Sequence, residues 1–342
     1  MMRTLSLFSG GGLLDYGLHR AGFTPAGFAE TDPFARRILA RHWPGVPILT
    51  DIRHLTQQVV RLFGEVDAIV GGPPCQPVSY AGKQLGADDP RWLWPEFLDA
   101  VRLVRPRIVI AENPPGVIDA GWSYILGRLA ALGYDAEWTV LPAIAFGAAH
   151  IRERVFLVAQ RAGEWRPVFD PRLWRGMLTL EVRDGKPWPT PQAHDAIGAR
   201  GRNNTFSDHH YYAHDLVTAV QPWPTPTAHE GGTAIGGRHG GGNFADQLPN
   251  VISGQLNPDW VENLQGVPIG WTIPEGPSLV DEPPLPDPAW RGEEQYDFEP
   301  PRTVQGPVPD RAGRLRALGN GVYERAAEAL GRAILQSQEV IP

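Results

Sequence analysis

Over the first 160 residues the chain alternates short apolar runs with stretches whose apolar residues recur at helical spacing. That alternation predicts a βαβ architecture built on a mostly parallel sheet. The apolar runs place strands at 4–8, 25–29, 47–50, 66–70, 107–111, 136–141 and 154–159. Between the first two, LLDYGLHRAG reads as a helix that stops at Gly22, where a left-handed backbone is wanted and glycine adopts it without strain. Asp32 followed by Pro33 supplies an N-cap and a first-turn proline for a second helix, FARRILARHW.

The periodicity fails after about residue 165, where Trp, Pro, Gly, His and Asn take over and a second domain or a set of loops begins. This region repeats itself: PWPTPQAH at 187–194 returns as PWPTPTAH at 222–229, and AIGARG at 196–201 returns as AIGGRH at 234–239. Two copies are too few for a solenoid, so a duplicated loop or hairpin unit is expected. From 273 to 309 ten prolines stand among acidic residues, a pattern that reads as a linker or an extended surface crossing. Helical periodicity returns from about Val322.

Composition narrows the classes. With 42% hydrophobic and 20% charged residues, the chain lies outside the range of disordered sequences. No long apolar run is present, and MMRTLSLFSGGG reads as a first strand rather than a membrane span or a secretory leader. Cys75 is the single cysteine, which excludes an intrachain disulfide and a multi-cysteine zinc site and leads to the expectation of a reducing, cytoplasmic setting. The net charge of −7 argues against a nucleic-acid partner until its distribution is considered. Asp259 to Glu299 holds ten acids and one arginine, a balance of −9, so the rest of the chain carries +2; residues 151–202 hold ten Arg and Lys against six acids.

Candidate chemistry collects at strand ends. FSGGGLLDYG follows a strand and opens a helix, a geometry suited to close backbone approach of a ligand. It is not a dinucleotide fingerprint, since Asp15 stands where Gly or Ala is required, and no Walker loop is present. Glu30 ends the second strand, twenty residues past Gly10, where a carboxylate can accept both ribose hydroxyls of an adenosine; Asp51 ends the third. An adenosine ligand without a pyrophosphate fits, S-adenosylmethionine being the common one, against the alternative of a tight turn with ordinary surface acids. Cys75 follows the fourth strand in DAIVGGPPCQPVSYAGKQ, and a rigid polar loop favours a nucleophile over a buried hydrophobe. Glu112 and Asn113 end the fifth strand at the same edge, either as an acid acting with the thiol or as a helix-capping pair. Arg152 and Arg154, two apart at the entrance to a strand, are expected to face the same way, and are either functional or solvated. Six of the ten histidines lie between 194 and 239, including His209, His210 and His214, but no fixed ligand motif emerges and no metal site is expected.

In this order the motifs resemble the DNA cytosine-5 methyltransferase family of bacterial or phage type. FSGGG, the Glu30 and Asp51 strand ends, GPPCQP, the ENP tripeptide, HIRER and the terminal GNGV resemble that family's successive blocks, and LQGVPIGW at 264–271 resembles its penultimate one. The resemblance covers roughly 1–160 and 256–330, with the Pro-Cys-Gln block its most specific part, and 165–255 corresponds to the variable target-recognition region. There are departures. Pro114 stands where the family usually has Val after Glu-Asn, His150 where Gln is usual, Gly321 where Ser or Ala is usual, and Ala81 where some members have Ser.

The resemblance implies an α/β fold: a Rossmann-like S-adenosylmethionine-dependent methyltransferase domain with a smaller, irregular target-recognition domain. The expected division is 1–164 for catalysis and cofactor, 165–255 for recognition, 256–310 for a returning segment with an acidic Pro-rich loop, and 311–342 for a C-terminal helix. It further implies Cys75 as the nucleophile at carbon 6 of a flipped-out cytosine, Glu112 as the acid at ring nitrogen 3, and Arg152 and Arg154 as the groups positioning Glu112 and the base. Phe8, Gly10, Gly12, Glu30, Asp51, Pro74, Leu93 and Asn320 would hold S-adenosylmethionine. Gln76, Ser79 and Lys83, in a candidate lid, and Arg200 and Arg202 would contact DNA, with Arg161, Arg166, Arg172 and Arg175 facing the same cleft. The partner implied is double-stranded DNA, with no membrane, the chain acting as a monomer within restriction-modification. The rival functions are transfer-RNA cytosine-5 methylation and a DNA-binding homologue without catalysis; the long Trp- and Gly-rich insert speaks against the first, and intact Cys75, Glu112 and both arginines against the second.

Overall fold

The computed structural model describes residues 1–74, 92–178, 223 and 255–339. All seven expected strands form: β1 (Met2–Leu7), β2 (Phe23–Ala29), β3 (Ile48–Leu49), β4 (Ala68–Gly71), β5 (Ile108–Asn113), β6 (Tyr134–Pro142) and β7 (Glu153–Arg161). They make one sheet in the order β3-β2-β1-β4-β5-β7-β6. The first five pair in parallel, and β7 alone runs against them, between β5 and β6. This is a mixed α/β, Rossmann-like sheet. Its strand order reverses between β1 and β4, and in open α/β sheets ligands bind outside the carboxyl ends of the strands at such a point.

Helices cover both faces, which is why β5 is buried along its whole length and reads as an unbroken apolar run before Glu112. On one face Leu5, Ile69 and Val109 pack with Phe97 and Val101 of α4 (Trp94–Val104) and Ile125 of α5 (Val117–Ala131). On the other, Val70, Ile110 and Phe156 pack with Leu14 and Leu18 of α1 (Leu13–Ala21). The expected caps are present: Gly22 closes α1 at φ 107°, and the Asp32 side chain accepts from Phe34 N at 2.8 Å at the start of α2 (Pro33–His42). A short α3 (Gln57–Leu62) completes this half of the chain.

The C-terminal part returns to the same body. A two-residue pairing of β8 (Gln255–Leu256) with β9 (Thr303–Val304) brackets α6 (Pro258–Leu264), and α7 (Arg311–Asn320) and α8 (Glu324–Glu339) follow. Leu330 and Ile334 of α8 join the core of the second sheet face. Helix thus begins at Arg311, where the resemblance implies it and before the apolar periodicity returns near Val322. The polar look of α7 conceals it, because its Arg314 is buried and bonds to Glu262 at 2.8 Å and Asp259 at 2.6 Å.

The proline-rich stretch is not a linker. Buried Glu299 accepts from the backbone of Ala289 (2.6 Å) and Tyr296 (3.0 Å), and Asp287 takes the Tyr323 hydroxyl and Arg325, both at 2.7 Å. Proline removes donors from an irregular backbone, and Glu299 satisfies two of those that remain, while Asp287 ties the stretch to the side chains of Tyr323 and Arg325. Part of the acidity that gives the chain its negative charge is therefore spent inside the fold.

Candidate active site

The turn after β1 is held open by hydrogen bonds rather than by packing. Phe8 N and Ser9 N both donate to Ala29 O, at 2.8 and 3.4 Å, and fasten the turn to the end of β2. Glu30 then accepts Gly10 N on Oε2 and Asp32 N on Oε1, each at 2.7 Å. Its two oxygens are thus already fixed, and each retains a second acceptor site. Phe8 (φ 55°), Gly10 (φ 55°) and Gly12 (φ 76°) are all left-handed, which turns the chain sharply into α1. A Cβ on Gly12 would stand 2.7 Å from the Trp43 ring, whereas one on Gly10 would meet nothing within 4 Å, so open space lies over Gly10. The turn thus offers bare backbone beside a fixed carboxylate.

The remaining expected cofactor residues border the same edge. Asp51, after β3, caps a short turn (Ile52–His54) and binds the Arg53 guanidinium at 2.6 Å, which holds its carboxyl down to about 2. Its carboxylate faces a cation already present, a partner the sequence reading omits. Pro74 and Leu93 are half-buried at the two borders of 75–91, and Asn320 is exposed at the end of α7. The neighbouring Gly321 has a steric reason to depart from the family's Ser or Ala, since a Cβ there would lie 2.5 Å from the Leu13 side chain.

Glu112 lies at the carboxyl end of β5, 8% exposed, with Oε1 paired to Arg154 Nε at 2.8 Å. Burial pushes the carboxyl up from its ordinary value, while Arg154 and then Arg152 act in the opposite sense. Gly72, just past β4, lets the acid sit there: a Cβ at that position would stand 2.9 Å from Glu112 Oε2. Asn113 donates from Nδ2 to Pro73 O at 3.1 Å and so ties β5 to the Gly-Pro-Pro segment that leads to Cys75. The sequence reading gave Gly72 no part, although the GGPP doublet was its signal. Asn113 is neither cap nor acid but a tether.

Two expectations about arginines need correction. Strand alternation does not extend to Arg152, because β7 begins at Glu153 and Arg152 has φ 33°. Its side chain donates to Gly319 O and Gly321 O, while its charge also acts on Glu112. Arg161 cannot face a cleft at this edge: β7 is antiparallel, so its last residue lies at the opposite end of the sheet, where it donates to Pro106 O. Arg172 pairs with Asp170 at 2.5 Å, and Arg166 donates to Trp165 O at 2.8 Å. His150 is buried, bonds to Leu264 O at 2.9 Å and is pushed down to about 3 by burial and the nearby Arg152, so it is a neutral spacer in place of Gln. Cys75, Gln76, Ser79, Lys83, Ala81, Arg200, Arg202, His209, His210 and His214 lie outside the described residues, as does the repeat apart from Trp223.

A model of the C-5 cytosine-specific DNA methylases matches residues 2–230. The chain belongs to that family. The type II methyltransferase M.AquIA of Picosynechococcus is 35% identical over 57% of this chain and 87% of its own length. M.NaeI of Lentzea aerocolonigenes is 28% identical over 97% of this chain and 74% of its own length. Several further curated relatives are matched over about half of their length. A solved structure of the S. pombe Dnmt2 methyltransferase, 17% identical, aligns over 99% of each chain with a TM-score of 0.58, which shows a shared fold.

Within this methylase fold the described residues bring together a glycine turn, a fixed carboxylate and a buried acid paired with arginine, all at one sheet edge. Among the described residues no group of three or more His, Cys, Asp or Glu could hold a metal, and no helix is long and apolar enough to cross a membrane.

Proposed function

We propose that the protein is a sequence-specific DNA cytosine-5 methyltransferase that uses S-adenosylmethionine, flips its target cytosine and adds Cys75 to it. The observation that carries this reading is the buried Glu112–Arg154 pair (2.8 Å) at the end of β5, joined through Gly72 and Asn113 to the segment that leads directly to Cys75.

Carbon 5 of cytosine is a weak nucleophile, and addition of a thiolate at carbon 6 turns the ring into an enamine. Cys75 supplies that thiolate. Glu112, raised by burial, holds a proton toward ring nitrogen 3, and Arg154 fixes the direction in which it does so. S-adenosylmethionine, when bound, supplies the electrophilic methyl group. Phe8, the Gly10–Gly12 turn and Glu30 would hold it, with Asp51, Pro74, Leu93 and Asn320 bordering the pocket. Loss of the carbon 5 proton then expels Cys75. Target atoms are out of reach inside a duplex, so the base must leave the stack, at roughly a few kcal/mol.

The test is a duplex in which the target carries fluorine at carbon 5. No proton remains to be lost there, so the protein should stay attached to DNA through denaturing electrophoresis, and only with S-adenosylmethionine present. Cys75→Ser should lose both adduct and turnover, since a thiol of pKa about 8.5 supplies some anion at neutral pH and an alcohol almost none. Adducts on transfer RNA and none on DNA would assign the rival substrate, and methyl label on the exocyclic amine would overturn the cysteine route.

A further inference from the structure

We propose that Arg152 is a positioning residue for the methyl-donor pocket, so that the two arginines of the HIRER segment serve opposite halves of the site. The proposal rests on the reading above that the donor lies against the turn containing Asn320.

The Arg152 guanidinium Nη2 donates to Gly319 O at 3.0 Å and to Gly321 O. These are the carbonyls on either side of Asn320, 167 and 169 residues away in sequence. One nitrogen thus fixes the backbone that presents Asn320 at the end of α7. Beyond it, Gly321 packs on Leu13 so tightly that no Cβ fits between them, and Leu13 is the first residue after the Gly10–Gly12 turn. Arg152, the 319–321 turn, Leu13 and the glycine turn form one unbroken series of contacts around the donor side. Arg154, two residues on, binds Glu112 on the side of the acid.

The backbone of Arg152 is adapted to this task. A non-glycine residue at φ 33° is uncommon and strained. The conformation is held from behind, where Ala143 N donates to Ile151 O at 2.7 Å and Arg152 O at 3.2 Å. It releases Arg152 from the alternation of β7, which begins one residue later, and the side chain is 2% exposed. Buried carbonyls with a charged donor withdrawn would be left without their partner, so the turn should shift rather than persist unpaired.

Arg152→Lys keeps the positive charge that Glu112 feels, but its ammonium stops one bond short of the position from which Nη2 spans both carbonyls. We expect its dissociation constant for S-adenosylmethionine, measured by calorimetry, to rise about tenfold. The kinetic loss should fall on KM for the donor, and saturating donor should recover most of the rate. Arg154→Lys should behave in the opposite way, with kcat reduced and donor affinity near that of the wild type. Amide hydrogen exchange supplies a readout independent of ligand: residues 319–323 should exchange at least tenfold faster in Arg152→Lys, while 108–113 stay unchanged. Arg152→Gln, which keeps one uncharged NH2 donor, should retain part of the protection if the lysine protein folds poorly. Wild-type donor affinity together with unchanged exchange at 319–323 would overturn the proposal. A wild-type protein that binds no S-adenosylmethionine would instead overturn the donor reading, and exchange would then decide the Arg152 contact alone.

Discussion

At Glu112 burial and two arginines act in opposite directions on one carboxyl. Burial raises its affinity for a proton, and Arg154, held against Oε1, limits the rise. Glu112→Gln keeps the shape and removes the transferable proton, so kcat should fall about 10²–10⁴-fold, the range of general acid catalysis, with DNA affinity largely retained. An unchanged kcat would take Glu112 out of the chemistry. Asp15 isolates the same burial effect without a cation to oppose it, being pushed from 3.8 up to about 7 by desolvation, against which Ser6 and the backbone act in the opposite sense. Because the folded value lies above the unfolded one, the native protein holds a proton through this window that the unfolded chain releases, and stability falls as pH rises from about 4 to about 7. Asp15→Asn removes the titration. Its stability relative to wild type should therefore improve by about 2–3 kcal/mol between pH 5 and pH 8, measured by urea unfolding. A difference that stays flat over that range contradicts the burial of a titrating carboxyl.

Among the elements, α1 and α8 approach closely enough that glycines set their distance. A Cβ on Gly17 would stand 2.5 Å from Glu324 O and 2.6 Å from Ala327 Cβ, and one on Gly331 would stand 2.6 Å from Ala21 Cβ. Gly17→Ala should gain about 1 kcal/mol of helix propensity and lose more than that to overpacking, commonly about 1–3 kcal/mol, since a backbone carbonyl cannot yield as a side chain does. Net destabilisation in chemical unfolding is expected, and a more stable Gly17→Ala protein would show that the helices can move apart. The seven strands, the Gly22 stop and the Asp32 cap were legible in the sequence because each depends on local pattern or local bonding. The acidic stretch and α7 were not. Their order comes from partners far along the chain, such as Arg314 with Glu262 or Asp287 with Tyr323, and side chains of that kind look solvated when read singly. The site divides in the same way: strand ends marked Glu30 and Glu112, but nothing local separated the partners of Arg152 from those of Arg154.

For the molecule as a whole, the proposed recognition segment has, beyond residue 178, one described point of attachment to the rest of the chain. Trp223, the one described residue between 178 and 255, is buried. Its backbone N donates to Ala149 O at 2.7 Å, its Nε1 donates to Ala289 O at 2.8 Å, and Arg302 lies over its ring at 4.8 Å. The first bond lands one residue before His150 and three before Arg152, so Trp223 is fastened beside the strand that carries Arg154. Specificity should therefore travel with 165–255, provided the anchor is kept. Grafting this segment, with Trp223 retained, onto a related catalytic body should transfer the methylated sequence, read by bisulfite sequencing of plasmid DNA. The same graft with Trp223→Ala should lose about 3–5 kcal/mol of stability, as for other buried aromatic truncations, and should methylate poorly at any site. If the intact graft folds and methylates the host's original sequence, base readout lies outside 165–255 and the WPTP repeat serves the fold instead.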